Sequence, residues 1–367
     1  SHNSPSLRFP EFTGEWEECV LGDYGKVVTG NTPPTKDIEN YENGTYLWAS
    51  PADLGTHKLI SETKTKLSSK GFTKTRPLSK GSVLVTCIGS TIGKTGMATR
   101  EMSTNQQINS IVVNENNDNE FVYYVVQSAF PHYLSSIAVQ AVPIISKSSF
   151  ELLPSKRPSL QEQNKIGKFL SLLDERISTQ HRLIDRLQSL MIGIAQKIAH
   201  SNKPNVRISD CLECSSSALQ ESEVNKTGKY PVYGANGIVG YIDKYHTQNE
   251  AIYIIKDGSG VGGVSYVTGK CSSTGTLNIL QAKNGHSLKY LYYLLKVFNF
   301  VPYKTGMAIP HIYFKDYGKA KIFCPAYPEQ LEYAKLLSSI DGNLRIALDS
   351  LKNFNLQKQY LLRHMLI

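Results

Sequence analysis

The feature that most constrains this 367-residue chain is that it is written twice. FVYYVV at 121–126 and YLYYLL at 290–295 coincide at an offset of 169, which also lays IGSTIG (88–93) on DGSGVG (257–262) and Asn109 on Asn278. From AVP (141–143) on AIP (308–310) the offset is 167 and then runs without a gap. Phe150 meets Tyr317, Pro158 meets Pro325, Glu162–Gln163 meets Glu329–Gln330, and Asp174 meets Asp341. Upstream, LGD at 21–23 resembles ISD at 208–210 at an offset of 187, so the first copy carries extra residues, about 20 of them, between 30 and 80. Two copies of one unit must each find the same fold, with the insertion accommodated as a local elaboration.

Each copy ends in a long amphipathic segment. Ile166, Leu170, Leu173, Ile177, Ile184, Leu187, Met191, Ile194 and Ile198 recur at alternating spacings of four and three, broken by Gln180. The second stripe holds Tyr333, Leu337, Ile340, Leu344, Ala347, Leu351, Phe354, Leu361 and Met365, broken by Lys358. A stripe kept up for four to five heptads calls for a coiled-coil partner, and a helix of that length, roughly 50 Å, outruns what one small domain can cover. Before each helix lie short Val-, Ile-, Tyr- and Thr-rich runs (SVLVTCI, NSIVV, AIYIIK, VSYVTG, TLNIL) broken by Gly, Asn and Pro, which predict strands. Short helices are expected near 120–130 and 287–298. The expected fold is therefore α+β: two repeated, mixed, β-rich domains with pseudo-two-fold symmetry, separated by two long helices. The segments are 1–159, 160–203, 204–327 and 328–367.

Charge narrows the partner. The chain carries a formal charge of +9, and residues 56–100 hold nine Lys and Arg against Glu62 alone. Such a strip suits a phosphate backbone, with Lys58, Lys64, Lys66, Lys70, Lys74 and Arg76 as its contacts. No stretch offers the ~18 uninterrupted apolar residues of a membrane span. Six cysteines in so long a chain are no disulfide framework, and a cytoplasmic location is expected.

Several catalytic signatures nearly form and fail. CIGSTIGKT has Gly93–Lys94–Thr95, but Ile88 stands where a phosphate loop needs its first glycine. Gly258–Ser259–Gly260–Val261–Gly262–Gly263 fits GxGxxG, yet VSYVTG follows in place of a helix, so a hairpin turn is expected. Cys211 and Cys214 make one CxxC without a second pair, and Cys271 and Cys324 stand alone, so no metal is expected. His311, opposite Ile144 in the repeat, reads as a surface or recognition side chain. Asp53, Glu62 and Lys64 mimic the Asp and Glu-x-Lys of a metal-dependent nuclease, without an equivalent in the second copy. A stand-alone nuclease built on them, and a protein-interaction adaptor without DNA specificity, are the competing classes.

Two like globules on a fixed spacer could read two grooves of DNA one turn apart, and duplication lets the halves read different bases. The first copy offers Thr32, Lys36, Lys94, Asn105, Gln106 and Gln107 in its Gly-rich and polar loops. The second offers Asn236, Lys256, Ser259, Lys270, Ser273 and Thr274. Asn and Gln pair bidentately with adenine, and Lys meets guanine or phosphate.

LRFPEFTGEWEE, LGDYGKVVTGNTPPTK, GSTIGKTGMAT, TNQQINSIVV and PSLQEQNKIGKFLSLLDERI, then YPVYGANGIVGYIDKY and PAYPEQLEYAKLL, together resemble the specificity subunits of type I restriction–modification systems. The resemblance covers nearly the whole chain. It implies two target recognition domains joined by an antiparallel pair of helices that dock two modification subunits, with restriction subunits completing the assembly on double-stranded DNA. It also implies that this chain is non-catalytic and binds no cofactor. S-adenosylmethionine would serve adenine methylation, and ATP and Mg²⁺ translocation and cutting, on the other subunits. The loops differ strongly between the copies, so bases cannot be assigned to residues.

Overall fold

Val-, Ile- and Tyr-rich runs become strands, and the two heptad stretches become helices, in a computed structural model that describes residues 4–136, 144–201, 203–307 and 309–366. The matched AVP at 141–143 and Ala308 lie outside the described residues. The chain divides into two compact units, 1–179 with 351–367, and 180–350. Each long helix thus gives one stretch to each unit.

Apart from one added edge strand, the units match strand for strand. In the first, a five-stranded sheet runs in the order Gly25–Thr29, Ile108–Val113, Val83–Thr86, Thr95–Ala98, Leu59–Ile60. In the second, the order is Leu212–Ser216, Leu277–Ala282, Glu250–Ile255, Val264–Thr268. Beside each lies a three-stranded sheet. Tyr46–Ala49 sits between Thr65–Leu67 and Ser103–Thr104, and Tyr230–Gly234 sits between Gly237–Ile242 and Ser272–Ser273. The extra residues of the first copy fall between Ala49 and Thr65, where the second copy has only a tight turn. They supply the added edge strand Leu59–Ile60, parallel to Thr95–Ala98.

Behind each sheet packs an apolar helix, Asn119–Ser136 in the first unit and Leu288–Val297 in the second. Asp118 and Ser287 begin these helices, accepting hydrogen bonds from the backbone amides of Phe121 (2.8 Å) and Tyr290 (3.4 Å). A buried glutamine then ties each to the start of a long helix. Gln163 donates to the carbonyl of Pro158 (3.0 Å) and accepts from the amide of Asp118 (3.1 Å). Gln330 donates to Pro325 (2.8 Å) and accepts from Ser287 (2.8 Å). The Glu-Gln match in the sequence is therefore a clamp that fixes where the long helix leaves its unit.

The long helices are Leu160–Ser201 and Tyr327–Met365. Ile166, Leu170, Leu173, Ile184, Met191, Leu337, Ile340, Leu344 and Leu361 are buried, and Ile177, Leu187, Ile194, Leu351 and Phe354 are half-buried. In the first unit, Ile166, Leu170 and Leu173 share a core with Leu361, Met365 and Leu366, and Arg176 lies over the Phe354 ring. Rising numbers on one helix meet falling numbers on the other, which is antiparallel pairing. The polar interruptions are used in it. Lys358 pairs with Asp174 at 2.6 Å, and in the second unit Gln180 donates to the carbonyl of Ala347 at 2.9 Å.

Candidate nucleic-acid interface

The glycine loops of the two copies are one structure. Gly89 and Gly258 have φ of +94° and +96°, and Gly93 and Gly262 have +89° and +90°, a region that side chains with a Cβ enter at a cost. The amides of Gly93 and Gly262 donate to the carbonyls of Thr86 and Ile255, both at 2.9 Å. Each loop joins two antiparallel strands, Val83–Thr86 to Thr95–Ala98 and Glu250–Ile255 to Val264–Thr268. The near-phosphate-loop and the near-dinucleotide motif are thus both hairpin turns, as the β-type sequence behind them requires. Ile88 and Asp257 make matching bridges to Ile144 and His311, and His311 is partly exposed, 3.9 Å from the Asp257 carboxylate.

Each hairpin loop borders a cleft. In the first unit the cleft, about 530 Å³, is lined by Ser50, Pro51, Ala52, Lys64, Thr91, Lys94 and Gln107. In the second, about 300 Å³, the lining includes Tyr233, Gly234, Ala235, Ile255, Gly263 and Tyr266. The positions correspond. Asn105 and Thr274 donate their amides to the carbonyls of Ala49 and Tyr233, both at 2.9 Å, placing Ser50 opposite Gly234 and Pro51 opposite Ala235. The offset of 169 sets Lys94 on Gly263. The two clefts thus share these three positions and differ in lining, cationic and amide-bearing in one unit, aromatic with glycine in the other.

The structure sorts the predicted contacts. Lys36, Lys64, Lys94, Gln106, Asn236, Ser259 and Lys270 are exposed. Lys64, Lys94 and Gln107 meet at the first cleft. Thr32 donates to Gln106, Lys256 is half-buried beside Ser216, and Lys270 lies over the Tyr245 ring. Asn236 sits in the turn before Gly237–Ile242.

Other assignments need correcting. Lys58 turns inward to Glu120, Tyr124 (3.0 Å) and Ser171 (3.2 Å), with its side chain 12% exposed, because the inserted edge strand carries it against the helix layer. Ser273 and Thr274 are buried, where the short edge strand Ser272–Ser273 runs parallel to Tyr230–Gly234 and the Thr274 amide bonds back to the Tyr233 carbonyl. Asn105 is also buried; its carboxamide bonds back to the amide and side chain of Gln107, both at 3.0 Å, and shapes the loop. Lys66 pairs with Glu62, Lys70 with Asp37 and Glu39, and Lys74 with Asp37 and Asn40, so the strip is less cationic than its composition suggests. Arg76 donates to the carbonyl of Thr29 at 2.8 Å.

The nuclease-like trio does not converge. Asp53 accepts from the amide and hydroxyl of Ser50 and from the amide of Lys64, at 2.8–2.9 Å, so it caps a turn, while Glu62 faces Lys66. Among the described residues, metal-ligating side chains converge at Cys211, His286 and Cys324. Tyr233 and Tyr266 were missed as candidates; the YPVYGANG turn was the available signal for the first.

With the duplicated groove in place, the comparison with known proteins is direct. The type I restriction modification DNA specificity domain matches residues 13–189 and again 201–353. The chain belongs to this family. Its two matched stretches are the two copies read from the sequence. Relatives include the MjaIX specificity subunit of Methanocaldococcus jannaschii, 27% identical over 49% of this chain and 43% of that protein. Another is the EcoprrI specificity subunit of Escherichia coli, 19% identical over 89% of this chain and 88% of that one. The chain matches less than half the length of the MjaIX, HindI and EcoR124I subunits. In fold, it resembles the S subunit of M. genitalium, with a TM-score of 0.72, 18% identity and 99% of each chain covered. It also resembles a chain from a type I restriction–modification assembly, with a TM-score of 0.56, 16% identity and 95% and 96% covered. The fold class is that of two specificity domains carried on long helices. No described helix is long and apolar enough to cross a membrane.

Proposed function

We propose that this chain is the non-catalytic, DNA-reading subunit of a type I restriction–modification assembly, with one recognition domain for each half of a bipartite, asymmetric sequence. Residues 1–159 and 204–327 are the readers in this proposal. Residues 160–203 and 328–367 are the spacer helices that dock two modification subunits, with restriction subunits joining them. S-adenosylmethionine, ATP and Mg²⁺ are then used on those other subunits, in the cytoplasm. The observation that carries the reading is a pair of clefts that share three repeat positions but differ in lining, Lys64, Lys94 and Gln107 in one against Tyr233 and Tyr266 in the other. A homodimer of single readers would present two identical linings and favour a symmetric target. A duplicated chain is free of that restriction.

The test is to express the chain with its modification subunits and map methylated adenines across the host genome. The expected result is a motif of two unlike halves separated by unspecified bases. A continuous motif, or a methylation pattern unchanged by deleting this chain, overturns the proposal. Incubating the purified chain with DNA and Mg²⁺ is expected to give no cleavage.

A further inference from the structure

Cys211, His286 and Cys324 are far apart in sequence. In the second unit, the two sulfurs and a ring nitrogen of His286 lie within 4.8 Å of one another. Both cysteines are free thiols and buried. The Nδ1 of His286 is buried and has no hydrogen-bond partner.

The first unit is an internal control for this spot. The amides of Asn114 and Lys283 donate to the carbonyls of Tyr24 (3.0 Å) and Cys211 (2.9 Å), and those of Asn117 and His286 to Asn114 (3.2 Å) and Lys283 (3.1 Å). The backbone is thus the same, with Tyr24 in place of Cys211 and Asn117 in place of His286. There the site is closed by ordinary means. The Tyr24 ring is fully buried, and Asn117 donates to Asn114 and accepts from Gln163. The second unit replaces a satisfied amide with an unsatisfied imidazole, and a large ring with a thiol. A buried polar atom without a partner costs free energy and calls for an explanation.

We propose that Cys211, His286 and Cys324 form a Zn²⁺ site. Two thiolates and one imidazole are a zinc donor set, and solvent supplies the fourth position at the partly exposed His286. Bonds of ~2.0–2.3 Å hold tetrahedral ligands ~3.5–3.8 Å apart, so atoms within 4.8 Å of one another close by at most ~1.3 Å on binding. Each thiol gives its proton to solvent as its sulfur takes up the metal. The backbone holds the ligands in readiness. Cys211 ends the short helix Ile208–Cys211, and His286 precedes the N-cap Ser287. Asn205 grips the backbone of Cys324 on both sides, accepting from its amide and donating to its carbonyl, each at 2.8 Å. The metal would pin the start of the second β-rich body to the segment between the strand Lys321–Ile322 and the C-terminal helix. This site is independent of how the grooves read DNA.

The test uses the full chain, reduced, stripped with a chelator and titrated with Co²⁺ and then Zn²⁺. The expected result is one equivalent bound, a thiolate-to-cobalt charge-transfer absorption that Zn²⁺ abolishes, and a melting temperature raised by about 5 °C with zinc in excess. Cys324→Ser removes the absorption. His286→Asn, which installs the first unit's own residue, weakens binding at least tenfold, and Cys214→Ser leaves it unchanged. No charge-transfer band in reduced wild-type protein overturns the site. So does a band that survives both Cys324→Ser and His286→Asn, or a Cys211–Cys324 disulfide that forms in place of metal binding. The wild-type spectrum decides the question even if a variant fails to fold.

Discussion

The two units share a scaffold and differ in where they keep charge. Beneath the helix Asn119–Ser136, Lys58 donates to Glu120 and to Tyr124, Tyr124 donates to Asp174 at 2.6 Å, and Lys358 closes on Asp174. Burial and the nearby Asp174 carboxylate push the Tyr124 hydroxyl well above its ordinary range, so it remains a donor. In the second unit the matching Tyr293 donates to Ser338 at 3.4 Å, and Asp341 turns to the exposed Arg345. Met191 stands at the repeat position of Lys358 and is buried. Lys58 lies in the inserted residues, which have no counterpart. An insertion at one edge has thus allowed a charged helix seam in one copy, while the other keeps neutral contacts, Met191 and the Gln180 bond to Ala347. The lysine that breaks the heptad is a partner in that seam.

The shared clamp should give the largest effect and test how equivalent the units are. Gln163→Leu and Gln330→Leu each leave a buried helix-start amide and a proline carbonyl without a partner. Each should lower stability by about 2–3 kcal/mol in urea denaturation. Losses that differ severalfold between the two would break the equivalence. The polar seam sharpens the difference. Asp174→Asn removes the charge shared by Lys358 and Tyr124, and should cost about 1–2 kcal/mol, reduced because both pair members are 18% exposed. Asp341→Asn loses only an exposed i,i+4 pair and should stay within ~0.5 kcal/mol. Equal losses would mean that the seam adds nothing to the first unit. Gly93→Ala and Gly262→Ala should each cost about 1 kcal/mol, since both glycines have positive φ. A Cβ there would also lie 3.1 Å from Phe130 or Phe300, so thermal melts of the two variants should agree.

These particular residues also mark what could be read in advance. Repeat offsets and heptad spacing carry the duplication, the long helices and the hairpin glycines, because backbone conformation and burial leave periodic traces. Side-chain direction leaves none. Lys58 looked like a surface cation because its partners, Glu120, Tyr124 and Ser171, lie more than sixty residues away. Ser273 and Thr274 looked like loop donors because a two-residue strand has no period to reveal it. The Cys211, His286 and Cys324 cluster was hidden for the same reason, as its members lie on three elements joined only by the fold. The groove was half legible. Lys94 and Gln107 stand in polar loops and Lys64 in the basic strip, both legible in the sequence, whereas Tyr233 and Tyr266 are not, since aromatic residues in a strand read as core.

A modest change in DNA binding bears most directly on reading. Lys94 is exposed at the first cleft, and its repeat position in the second unit is Gly263, so the two grooves should respond differently to salt. As a phosphate contact, Lys94→Ala should weaken DNA binding by the assembled complex about threefold and flatten the salt dependence by about one counterion. Methylation should then fall on sites that already fit the first half poorly. Asn236 carries no charge and stands in the turn of the second unit. Asn236→Ala should relax the second half-site while leaving the salt slope unchanged, because no counterion is released at a neutral amide. Binding measured across a salt series on sites mutated in one half at a time separates the two. If Lys94→Ala relaxes the half-site that Asn236→Ala also relaxes, the grooves do not read separate halves, and the duplication must serve another purpose.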